Sequence, residues 1–142
     1  MNSKEEKAIL VVDLTNILNL DRDDNRKIKV ENVINLYNAV VELGYEPHMI
    51  GDASMRHYLN SADQYEDLKE KRIIRQSPAG TKADEWVLEV AKRENSKFLS
   101  NDLYRDYREE FGKEWIFDNR LTCIFVNGKF IIRENKNNKD HQ

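Results

Sequence analysis

The string FLSNDLYRDY at residues 98–107 places two aspartates four residues apart, directly after a hydrophobic pair. If the segment is helical, Asp102 and Asp106 share one face, where like charges repel. A cation between them would turn that repulsion into a shared ligand set. Two more aspartates stand in similar settings. Asp13 closes the apolar run AILVVD, and Asp84 begins an amphipathic stretch. Each acid also fits a plainer role. Asp13 suits a turn or a helix N-cap. Asp84 suits a capping box opened by Thr81. Asp102 suits the N-cap of the next helix, and Asp106 a solvated surface acid near Arg105 and Arg108. One role fits all four: holding Mg2+ or Mn2+, hard ions that take oxygen ligands directly or through water. Such an ion polarises a phosphoryl oxygen and activates water, so the implied chemistry is metal-assisted hydrolysis. Asn16, three residues past Asp13, reads either as a partner that orients it or as an Asx-turn residue.

Other chemistries find little support. Neither G-x-G-x-x-G nor G-x-x-x-x-G-K-[ST] occurs, so no phosphate loop is expected. His48, His57 and His141 form no zinc-binding spacing. No G-x-S-x-G elbow is present. Cys123 is the one cysteine, which permits no internal disulfide and makes a reducing cytoplasm the default compartment. The longest apolar run, residues 8–12, is too short for a membrane span, and MNSKEEK is no secretory signal. The net charge of −3 does not advertise nucleic-acid binding, although setting the four aspartates aside turns it into +1.

The elements that must position these acids follow from hydrophobic spacing. Residues 8–13 read as a strand buried on both faces. Residues 30–43 carry apolar side chains at helical spacing and end at Gly44, a natural helix stop. EPHMIGD (46–52) is a second strand ending on an aspartate, Asp52. Residues 61–70 read as a short polar helix and RIIRQ (72–76) as a third strand. After the SPAG loop, Thr81 opens a helix with Ala83, Trp86, Val87, Val90 and Ala91 on one face. KFLSND is a fourth strand. Residues 103–119 read as broken helix interrupted at Gly112. Asn127-Gly128 between two β-rich runs predicts a C-terminal hairpin, and the polar tail 135–142 predicts disorder. At 142 residues the chain is one domain by length, spanning 1–134. Strands alternating with helices give an α/β domain with a mainly parallel sheet. Ligands bind such sheets at the carboxyl ends of the strands, where Asp13 and Asp102 fall.

The segments ILVVDLTNI, PAGTKADEWVLEVA, KFLSNDLYRDY and FDNRLTCIFVNGKFI resemble the NYN domains of the PIN-like nuclease superfamily, in particular the Regnase-type group. The resemblance spans residues 8–133. It implies a three-layer α/β/α sandwich and a metal-dependent endoribonuclease that cuts single-stranded or stem-loop RNA with metal-activated water. It places the family's acids at Asp13, Asp84, Asp102 and Asp106 as catalytic metal ligands, with Asn16 and Asn101 as supporting amides. Arg56, Lys82, Arg105 and Arg120 are the basic residues at the expected loop edge for substrate contact, and Thr15 keeps a hydroxyl beside Asp13. Tyr104 and Tyr107 suit base stacking or core packing. Leu14-Thr15 stand where relatives carry Gly-Ser, which, with the acidic surface, motivates a second reading as a non-cleaving RNA-binding domain. A nuclease acting on DNA and a small tRNA-cutting toxin are further readings, and a homodimer is compatible with the family.

Overall fold

The structure, a computed structural model, describes residues 6–134. The tail at 135–142, with His141, lies outside the described residues. Six strands form one sheet: β1 (Ile9–Asp13), β2 (Glu46–Gly51), β3 (Ile74–Gln76), β4 (Lys97–Leu99), β5 (Arg120–Val126) and β6 (Lys129–Arg133). Their order is β3-β2-β1-β4-β5-β6, parallel except for the antiparallel β5–β6 pair. The helices are α1 (Leu14–Leu18), α2 (Glu31–Glu42), α3 (Ala62–Glu70), α4 (Ala83–Glu94), α5 (Arg108–Phe111) and α6 (Lys113–Asn119).

Alternation along the central strands divides the core in two, because successive side chains of a strand point to opposite faces. Leu10, Val12, Met49, Leu99 and Leu121 pack with Ile17, Val33, Leu36, Val40 and Tyr65, from α1, α2 and α3. Val11, Ile50 and Phe98 face the other way, onto Ala83, Val87, Leu88 and Ala91 of α4 and Phe111 and Ile116 of α5 and α6. A sheet between two helical layers is the α/β/α sandwich expected from the sequence. Each such buried aliphatic or aromatic side chain contributes roughly 1.5–3 kcal/mol relative to exposure.

The chain winds outward from β1 to β2 and β3, then crosses to β4 and β5 on the other side. The winding therefore reverses between β1 and β4, the place where a doubly wound sheet opens a crevice. Val12 pairs with Leu99, so Asp13 and Ser100 leave the sheet side by side.

Local details depart from the sequence reading at three points. The third strand begins at Ile74 rather than 72, because Arg72 adopts a left-handed φ of 64° and Ile73 donates its N–H back to the Leu68 carbonyl. The fourth helix begins at Ala83 with Lys82 as N-cap, so Thr81 forms no capping box and Asp84 is free for other partners. Asp102 and Asp106 do not share a helix: Asp102 lies in irregular backbone just after the bend at Asn101, and Asp106 in a 3-10 turn over Arg105–Tyr107. Tyr104 between them has φ 53°, which breaks any helical path. The hairpin is as expected, with Asn127 and Gly128 both at positive φ (52° and 79°), as a type I′ turn requires.

Candidate active site

Asp13 ends β1 with 4% of its surface exposed. Its Oδ2 accepts from the Ser100 hydroxyl at 3.0 Å and the Tyr104 hydroxyl at 2.8 Å. Burial pushes its carboxyl up from 3.8 to about 6, against the pull of these two hydroxyls; the charges of Asp84 and Asp102 push in the same direction as burial. Among the described residues no ion pair includes any of the four aspartates. A buried carboxylate with neighbouring acids and no cationic partner is the donor set that a hard divalent cation would satisfy.

The loop after β4 builds the far side. Ser100 links two acids, since its Oγ accepts from the Asp102 N–H at 3.1 Å while its proton goes to Asp13. Asp102 Oδ1 accepts from the Tyr104 N–H at 2.8 Å, an Asx turn that holds Tyr104 in its left-handed conformation. The Tyr104 ring meets Phe98 edge-on at 5.5 Å, and Phe98 stacks on Trp115 at 5.6 Å. Packing thus fixes the ring and aims its hydroxyl at Asp13. Burial, followed by the charge of Asp13, raises the Tyr104 hydroxyl well above the usual tyrosine range, so it remains a donor.

Asp84 sits in the first turn of α4, where the helix dipole favours an anion. Its Oδ1 accepts from the Glu85 N–H at 2.7 Å and the Tyr107 hydroxyl at 3.2 Å. Desolvation and then Asp84 push the Tyr107 hydroxyl up to about 12.

Asn16 reaches Asp13 only at one remove: its Oδ1 accepts from the Asn101 backbone N–H at 2.9 Å. The Asn101 side chain pairs with the backbone of Cys123, donating to its carbonyl and accepting from its N–H, both at 2.9 Å. It acts as an extra rung between β4 and β5 and fixes the turn that carries Ser100 and Asp102.

Asp13, Asp84 and Asp102 therefore share one electrostatic field, while Asp106 is exposed on the 3-10 turn and acts on Tyr107. Among the described residues, the acidic oxygens that gather within 4.8 Å of one another belong to Glu85, Glu89 and Glu110. The i, i+4 spacing of Glu85 and Glu89 was the sequence signal for that group. Ser100, Tyr104 and Tyr107 were missed as carboxylate partners.

The basic residues divide. Arg120 is partly buried and donates to the Ser100 carbonyl at 3.0 Å, against the back of the site. Lys82 and Arg105 are exposed and flank Asp84 and Asp106 in the chain. Arg56 lies on the 3-10 turn Ala53–His57 and pairs with Glu66 at 3.3 Å. Thr15 is half-buried in α1. Asp52 caps that 3-10 turn, accepting from Ser54 N–H and hydroxyl at 3.2 and 2.7 Å.

Comparison with solved structures shows the same fold in Arabidopsis thaliana nuclear protein-only RNase P 2. One structure matches with TM-score 0.68 and 15% identity over 89% of this chain, and another with TM-score 0.69 and 14% identity over 91%. The chain spans 30% of the length of each. No curated protein matches. The Zc3h12a-like ribonuclease NYN domain family matches residues 6–142, and the chain belongs to that family.

Proposed function

We propose that this chain is a metal-dependent endoribonuclease that hydrolyses phosphodiester bonds of single-stranded or looped RNA, with Mg2+ or Mn2+ as cofactor and water as nucleophile. The observation that carries the reading is Asp13: a buried carboxylate at the reversal point of the sheet, under the charges of Asp84 and Asp102 and held by two hydroxyls, with no ion pair to a cation among the described residues. Family membership supports the ribonuclease class.

The residues fit a hard cation. Asp13, Asp84 and Asp102 would hold it, with Asp106 contributing from the exposed rim through water. A divalent cation at that position polarises a phosphoryl oxygen and lowers the pKa of water. The chain's own groups prepare the site for it. Ser100 and Tyr104 both donate to Oδ2 of Asp13 and hold the carboxylate in place. Tyr107 and the Glu85 N–H fix one oxygen of Asp84. Asn16 and Asn101 lock the loop so that Asp102 keeps its register on Asp13. Arg120, Arg105 and Lys82 supply positive charge for the phosphate backbone, which positions RNA without reading sequence.

The test is cleavage of a fluorescent single-stranded RNA and its matched DNA in Mn2+ and in EDTA, by wild type and Asp102→Asn. The expected result is cutting of RNA that needs both Mn2+ and Asp102. Equal cutting of DNA would move the substrate class, because only RNA offers the 2′-hydroxyl. Cutting that survives Asp102→Asn would refute the site.

A further inference from the structure

A cavity of about 400 Å3 is bordered by Leu103 and Arg120, and of its lining only Arg120 enters the function proposed above. Leu103, Ile116 and Phe117 line its wall. Leu103 directly follows Asp102, so one lining residue belongs to the loop that carries that aspartate. Leu103 and Phe117 each keep 40% of their surface exposed. Three cations border the cavity, Arg108, Lys113 and Arg120, against one carboxylate, Glu114. That concentration of positive charge stands out on a chain with net charge −3. Two of these cations are tied to the site by backbone bonds. Arg120 donates to the Ser100 carbonyl at 3.0 Å and Arg108 to the Leu103 carbonyl at 3.2 Å. A guanidinium has five N–H donors, so each retains donors that point elsewhere.

We propose that this cavity receives one unstacked base of the substrate, laid against Phe117 and Leu103, while Arg108, Lys113 and Arg120 hold the adjoining phosphates. The inference rests on the ribonuclease reading and adds to it a means of choosing substrate. The volume falls in the range of small-ligand pockets. An apolar wall with an aromatic ring suits a nucleobase, because every base has a π-face and stacking tolerates any sequence. A cationic rim suits the phosphates on either side of it. Only an unpaired nucleotide can turn its base out of a stack at low cost, so the cavity selects single strands and loops over duplex.

The test uses a set of short single-stranded RNAs, each with one abasic site at a different position. Affinity is measured by anisotropy in Ca2+, and cleavage in Mn2+. For wild type, one position close to the cut should lower affinity on the order of tenfold when its base is removed. In Phe117→Ala that penalty should largely vanish, and Phe117→Trp should restore it. Leu103→Ala, at an equally exposed position, repeats the test on the same wall if Phe117→Ala does not fold. A flat abasic profile in wild type, or a profile unchanged in Phe117→Ala, with RNA still bound and cut, would overturn the cavity and leave the ribonuclease reading standing. Failure of wild type to bind or cut any of the oligonucleotides would overturn both.

Discussion

Replacing Asp13 with asparagine should make the metal-free protein more stable at neutral pH while abolishing its activity. Asp13 ionises in the folded chain at about 6 rather than 3.8, chiefly because it is buried. The folded state therefore binds its proton more tightly than the unfolded state does. Between those two values the folded chain holds more protons, so stability falls as pH rises through that window and stays low above it. At 1.36 kcal/mol per pH unit, the penalty at pH 7.5 is about 3 kcal/mol. Asparagine keeps the shape and offers Ser100 and Tyr104 a carbonyl acceptor, but carries no charge. Asp13→Asn should then gain ~2–3 kcal/mol at pH 7.5 in EDTA, which for a chain of this size raises Tm by roughly 6–10 °C. The gap should shrink to under about 1 kcal/mol near pH 4, where Asp13 is protonated in the folded chain and roughly half protonated in the unfolded one. Thermal unfolding of both proteins from pH 4 to 8 in EDTA measures the gap, and subtracting one curve from the other cancels the titrating groups that do not interact with Asp13. A variant less stable than wild type at pH 7.5, or a gap independent of pH, would refute the reasoning.

Further outcomes follow from the same geometry. Mn2+ at a hundred times its Kd should stabilise wild type by about 2.7 kcal/mol and leave Asp13→Asn nearly unmoved, read as a Tm shift against EDTA. Asn101→Ala removes both bonds to the Cys123 backbone and should cost ~2–4 kcal/mol in urea unfolding, with a larger loss of activity than of secondary structure. Tyr107→Phe removes one of the two donors to Oδ1 of half-buried Asp84 and leaves the Glu85 N–H in place; stability should change by less than ~1.5 kcal/mol, while the Mn2+ concentration giving half-maximal cleavage should rise.

Much of this arrangement was legible in the sequence, and what was not has physical causes. AILVVD reads as a doubly buried strand because it is one, and its last residue, at the carboxyl end of that strand, makes Asp13 a candidate at once. The apolar stripe of α4 and the Asn-Gly turn were equally direct, since each depends on local periodicity or on backbone conformations that few residues adopt. The segment 100–107 was not. Its spacing suggests a helix, but an Asx turn at Asp102 and the packing of Tyr104 on Phe98 override it. Of the two roles open to Tyr104 in the sequence, base stacking or core packing, the fold takes the second and points its hydroxyl inward to Asp13. Thr81 and Asp84 match a capping box in sequence, yet the helix starts later, and Asp84 is met by Tyr107 from 23 residues away. The Asn101 rung to Cys123 joins residues 22 apart, and no local signal announces it. The aspartates stood out in the sequence as candidates; the hydroxyls and amides that meet Asp13, Asp84 and Asp102 required the fold.

The most direct test of the central claim is the chemistry of the cut. A 5′-labelled single-stranded RNA is incubated with wild type or Asp13→Asn in Mn2+ or EDTA, and the product ends are resolved. Water as nucleophile predicts hydroxyl and linear phosphate ends, formed by wild type in Mn2+ alone. Products ending in 2′,3′-cyclic phosphate, or cleavage that persists in EDTA or in Asp13→Asn, would contradict it.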